Sequence, residues 1–345
     1  MSDSSPDAAA STSSSATGVV PSHSPSSSLS KIQASIQTLS AIVPSIPPSL
    51  LTSENPALYL LHDPDVSATI SSLLRRPDSG SGDNNLCRWL YDTFQSTDPQ
   101  LQLVVVRFLP VIAGSYLSRA ASSGLRAGKT LAGFEAVLLA LYAHETTARD
   151  GNSVTINIPD ISHPSIYHES KIPPSKNNAT VLNIAVMSPA LEPHGTVRST
   201  RRGRIVGVAL ELYYSRISQM PKDSKMEFCE FSEKWAGISR PKSSGSDGKA
   251  REEGEGGGGR IPLPWEVMQP ALRILGHCIM GPSKDVQLYD AACGACRSFH
   301  ARALQDMDAK AILATGSLLR VAEMSVDPKN NVDHTEIKFT ESITV

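Results

Sequence analysis

The chain has 345 residues, 40% of them hydrophobic and 19% charged, which is enough apolar material for a sizeable core and a length that suits two domains or one long helical array. A formal net charge of -2 leaves no overall basic field to attract nucleic acid or an anionic membrane. Five cysteines, an odd and sparse set, exclude a disulfide scaffold, and no run approaches the roughly 20 apolar residues of a bilayer span.

Residues 1–28 are Ser, Ala, Pro and Thr with almost no large apolar group. Such a stretch cannot offset the entropy of ordering and is expected to be a disordered tail. It has no basic segment followed by an apolar one, so it does not read as a secretory signal. The expectation is a soluble cytosolic protein, in which the sequon Asn178-Ala179-Thr180 stays unused.

Helical periodicity then takes over. Ser28 or Ser30 caps a first helix carrying Leu29, Ile32, Ile36, Leu39 and Val43, and Pro47 and Pro48 end it. Asp63 caps a second over 63–75, with Pro64 at its first position. A third spans 85–95 with Leu86, Trp89, Leu90 and Phe94. Asp98-Pro99 opens a longer one whose stripe is Leu101, Val104, Val105, Phe108, Ile112 and Tyr116; Pro110 should kink or split it. Another helix covers 129–147.

The pattern changes at "SVTINIPD", where Val154, Ile156 and Ile158 alternate as in a short strand; "TVLNIAVM" (180–187) suits its partner or a short helix. Helices resume over 203–220, 222–235, 264–280, 284–302 and 305–324, interrupted by a Gly-rich stretch at 239–260 that reads as a flexible loop inside the fold. The end is polar, with a weak strand signal near Ile337 and Phe339. The expected fold is mainly α: an irregular antiparallel helical bundle or α-solenoid-like array, with a small β-hairpin or short strands near 153–187. No clean repeat period appears. The expected organisation is one helical domain over 29–325, with the loop at 239–260 and a polar tail at 326–345.

Four stretches invite a chemical reading. "GLRAGKT" (124–130) resembles a phosphate loop, but three residues separate Gly124 from Gly128-Lys129-Thr130 where four are needed. Ser123 stands in place of the first glycine, and a helix precedes it instead of a buried strand, so a helix–helix turn is the better reading. Cys293, Cys296 and His300 share one helix face and could hold zinc with His277 or Cys278 as a fourth ligand. The small residues of "DAACGACRSF" fit close helix packing better, with buried cysteine as a small hydrophobe.

His163 and His168 flank "PSIY" in a loop where Pro159 and Pro164 favour extended backbone. That loop reads as a rigid segment with Tyr167 packed and His168 bonded to backbone. Arg198, Arg201, Arg202 and Arg204 form the one basic cluster; it sits before a helix, where positive charge opposes the dipole, and would suit an anionic lipid surface or acidic partner. No nucleophile elbow or kinase signature set is present, so no catalytic residue and no cofactor is expected.

"LQLVVVRFLPVIAGSYL" (101–117), "GFEAVLLALY" (133–142) and above all "INIPDISHPSIYHE" (156–169) resemble the hyccin family, with looser similarity from "IPLPWEVMQPALRILGHCIMG" to Met324. The likeness covers about residues 30–325, and Pro159, Pro164, Tyr167 and His168 lie in the family-signature loop. It implies a non-catalytic helical adaptor that binds a tetratricopeptide-type scaffold protein. Together they support phosphatidylinositol 4-kinase type III alpha at the plasma membrane and so the supply of phosphatidylinositol 4-phosphate, while a separate acylated protein anchors the assembly. The chain would then be cytosolic and peripheral to the plasma membrane, with no nucleic acid and no transmembrane segment. The Ser-rich start and the Gly-rich loop depart from the family, and the long C-terminal tail of its animal members is missing. Two rivals differ in kind: a nucleotide-binding enzyme using 124–130, and a zinc-stabilised helical nucleic-acid-binding protein.

Overall fold

The computed structural model describes residues 25–96, 98–122, 131–147, 155–159, 181–186, 199–237, 261–281 and 285–326. Among them the chain is helical apart from two short strands between the eighth and ninth helices. Helix α1 (Pro25–Ile42) begins before the expected caps and buries Ile32, Ile36 and Leu39 on one stripe. The Trp89 indole donates to the Ser35 carbonyl at 2.8 Å, tying α1 to a later helix. Prolines start the next two helices: Pro48 opens α2 (Pro48–Leu51) and Pro56 opens α3 (Pro56–His62). Both elements escaped the periodicity reading because neither is long enough to repeat a stripe.

The following helices start where short polar side chains can accept from free N–H groups. Asp63 accepts from Val66 N at 2.9 Å and opens α4 (Pro64–Arg75). Asn84 does the same for Cys87 N at α5 (Asn85–Gln95). Asp98 accepts from Gln100 N and Leu101 N at α6 (Pro99–Arg107).

Pro110 splits the long helix as anticipated: α6 and α7 (Leu109–Ser122) meet at Phe108 with a bend of 44°. Val111 N turns to the Phe108 carbonyl, and the Arg107 carbonyl accepts instead from the Ser224 hydroxyl at 2.6 Å. The kink therefore fixes α10 (Lys222–Ala236) against the α6–α7 corner. The buried Arg107 guanidinium bonds the Leu61 carbonyl at the end of α3.

Next come α8 (Ala132–Thr147), α9 (Ser199–Ser215), a 3-10 turn at Ile217–Gln219, and α10. Gly114 on α7 allows the α10 contact, because a Cβ there would overlap the Phe231 ring. Then α11 (Trp265–Met280), α12 (Val286–Asp306) and α13 (Ala309–Val326) complete the array. Pairs two apart in the chain, α9 with α11 and α10 with α12, stack side by side, which makes this an irregular helical array without a repeat. Between α8 and α9 in the chain, β1 (Thr155–Pro159) pairs antiparallel with β2 (Val181–Val186); the fold class rests on the helices. Buried apolar side chains form one continuous cluster from Ile32 to Ala322.

Two arginines stitch helix ends. Arg119 donates to the carbonyls of Ser79, Leu74, Arg75 and Arg76, closing the C-terminus of α4. Arg302 donates to the Trp235 and Ala236 carbonyls at the end of α10 and to the Ile261 carbonyl at 2.9 Å. The two sides of the 239–260 stretch are thus held at one guanidinium; that stretch itself lies outside the described residues.

Candidate docking surface

Helix α13 is apolar on more than one side, yet it buries only small residues fully: Ala311, Thr315 and Ala322. Its outer side leaves Leu313 72% exposed, and Val321, two turns on, is exposed as well. Just before it, at the α12–α13 turn, Leu304 is exposed and Met307 is 85% exposed. Ile312, Leu318 and Leu319 are only half covered. An apolar helix that closes an array and keeps such side chains in water is the usual mark of a contact surface.

The helix carrying this face is firmly held. Tyr289 Oη donates to the Ala322 carbonyl at 2.8 Å, and the Thr315 hydroxyl donates to Ala311 O at 2.6 Å. The Lys310 ammonium sits 4.5 Å from the Trp265 ring centroid. Met307, in the left-handed region at φ 53, ends α12; Asp308 then accepts from Lys310 N and Ala311 N to start α13. The break thus falls at 307–308, a few residues beyond the expected 302–305 boundary.

The residues singled out in the sequence are scattered. Cys293 and Cys296 are buried on α12, and Cys296 Sγ donates to the Thr315 carbonyl at 3.7 Å. His300 Nδ1 pairs with the Thr315 hydroxyl at 2.8 Å, so these side chains serve the α12–α13 seam. Burial pushes the Cys296 thiol up to about 12. His277 and Cys278 lie on α11. Among the described residues no three His, Cys, Asp or Glu side chains gather as a metal centre.

Arg201, Arg202 and Arg204 fall inside the first turns of α9, not before it. The Arg202 guanidinium carbon lies 6.0 Å from the Tyr116 ring centroid, and Arg204 is exposed. Pro159 ends β1. Arg198, His163, Pro164, Tyr167, His168 and the 124–130 stretch lie outside the described residues, as does the strand signal near Ile337 and Phe339.

Several buried polar groups elsewhere form structural pairs. Tyr116 Oη donates to Glu135 at 3.0 Å, and Tyr213 Oη bonds the Ser224 hydroxyl at 3.0 Å. Arg273 bridges to Glu211 at 2.5 Å and stacks over Tyr214 at 4.1 Å. Among the described residues no single helix is long and apolar enough to cross a membrane. The bent α6–α7 pair has the apolar length, but its side chains fill the core.

The α13 face was not legible as a surface. Ile312, Leu313, Leu318, Leu319 and Val321 spell an apolar helix in the sequence, and periodicity alone does not say which side its own chain leaves open. Comparison with protein families gives the remaining finding: the hyccin family model matches residues 52–345. Over most of its length, from α3 through α13, the chain belongs to the hyccin family of non-catalytic complex subunits.

Proposed function

We propose that this chain is the hyccin-type adaptor of a plasma-membrane phosphatidylinositol 4-kinase complex. It docks on a tetratricopeptide-type scaffold protein, stabilises phosphatidylinositol 4-kinase type III alpha with it, and so supports phosphatidylinositol 4-phosphate production. An acylated protein holds the assembly at the membrane, and this chain associates peripherally. The family match carries the reading. The exposed apolar side of α13 supports it, because an array of scaffold helices offers the complementary apolar surface.

The mechanism is linkage. A subunit that binds only the assembled form stabilises that form by mass action, without chemistry of its own. In this reading residues 29–325 act as one helical domain, for which the continuity of the buried cluster speaks. The loop with Pro159, Pro164, Tyr167 and His168 braces the fold. Arg198, Arg201, Arg202 and Arg204 face anionic lipid or an acidic partner, with Arg204 the exposed member among those described.

Affinity capture of the full chain from cytosol plus membranes, read by mass spectrometry, tests this. Recovery of the kinase together with a tetratricopeptide scaffold is expected, and removing the chain from cells should lower the abundance of both. A chain that stays solitary in extracts containing the kinase would overturn the proposal.

A further inference from the structure

Helices α11 and α13 run side by side in the same direction. Near their starts the Lys310 ammonium lies 4.5 Å from the Trp265 ring centroid. Further along, Leu318 of α13 reaches Gly276 of α11. A Cβ placed on Gly276 would stand 3.6 Å from the Leu318 side chain and 3.5 Å from the Met280 methyl, an ordinary contact with both. The side of α11 turned to α13 thus lacks a side chain at this point. The flexible thioether of Met280 leans toward the gap, yet Met280 remains 59% exposed. Val321, three residues after Leu318 and so on the same side of α13, is exposed as well. These residues bound a shallow apolar groove, with Trp265 and Lys310 at one end and Met280 and Val321 at the other. At 1.5 Å per residue it is about 22 Å long, the length of a helix of about four turns.

The charges along this groove have one sign. Lys310 and Arg320 are exposed on α13. The acidic groups nearby are turned away or already used. Glu266 sits against Gly207 of α9. Asp308 accepts from Lys310 N and Ala311 N at the start of α13. Glu323, two residues past Val321, falls on the other side of the helix.

We propose that the α11–α13 groove receives an acidic amphipathic helix of the scaffold. Its apolar side chains lie over Met280, Leu318 and Val321, and its carboxylates reach Lys310 and Arg320. These two cations are about 15 Å apart along the axis, so the carboxylates of the partner helix stand about three turns apart. Met280 is the adaptable part of the floor and the cations select the sign of the partner. This inference rests on the docking reading and deepens it, since it names the groove and the chemistry of what enters it.

The test uses the purified full chain and a tetratricopeptide scaffold of the kinase complex. Met280→Asp and Lys310→Glu should each bind the scaffold at least about tenfold more weakly than wild type. Leu58→Asp, at an exposed apolar position on α3, should bind as wild type does. Both groove positions are exposed, and circular dichroism checks that the variants fold. A benzophenone amino acid in place of Met280, irradiated in the complex, then identifies the occupant by mass spectrometry. The expected adduct is a helical scaffold segment with carboxylates about three turns apart. Variants that bind with wild-type affinity, or an adduct with a basic segment or with a second copy of this chain, would overturn this inference and leave the docking reading standing. A wild-type chain that does not bind the scaffold would overturn both.

Discussion

Arg119 and Arg302 direct their guanidinium groups at carbonyl oxygens that helix ends leave without partners. Replacing Arg302 by Met keeps most of the apolar stem and removes these bonds. Urea unfolding should show a loss of about 2 kcal/mol, in the range for hydrogen bonds to charged groups. Asp285 supports a pH prediction. Its bond to Lys222, with the α12 N-terminal amide of Leu288, holds its carboxyl below the usual range. A lowered folded-state pKa gives stability that is present above the unfolded value and is lost as pH falls through the folded one. The stability difference between wild type and Asp285→Asn should therefore be constant above about pH 5 and shrink below about pH 4. Burial raises the Cys296 thiol to about 12, so maleimide at neutral pH should leave it unmodified until denaturant is added. At this scale the sequence shows Asp63 and Asp98 as caps, because a cap acts within its own turn. Arg107, Arg119 and Arg302 were silent: their partners sit about 40 residues or more away in the chain and only the fold brings them close.

Among elements, the crossing of α7 and α10 rests on a residue with no side chain. Gly114→Ala pushes a methyl into the Phe231 ring and should cost about 2 kcal/mol by overpacking, with part of that recovered by adding Phe231→Leu. Thermal unfolding of the two variants would show it; unchanged stability would mean that the helices separate freely. Helices with a long stripe and a proline at the start were legible, as α4 and α6 show. The short α2 and α3 were not, since four and seven residues cannot repeat a period. The α12–α13 boundary moved because Met307 adopts the left-handed conformation where sequence reasoning looks for glycine.

Over the whole molecule, one helical core presents helix α13, whose apolar outer side is exposed among the described residues. The hyccin resemblance was readable in 101–117, 133–142 and 156–169, with an expected extent of about 30–325, whereas the family match begins later, at residue 52, and runs further, to 345. What sequence could not supply was the surface, since exposure is set by which neighbours a helix lacks. The account therefore turns on whether this face binds the scaffold. The direct measurement is calorimetric titration of the purified full chain, wild type and Leu313→Asp/Val321→Asp, into a tetratricopeptide scaffold of the kinase complex, with circular dichroism to confirm equal helicity. The account predicts a wild-type complex and at least about a tenfold weaker variant, a difference of about 1.4 kcal/mol. A folded variant that binds as tightly as wild type, or a wild-type chain that does not bind, would contradict it.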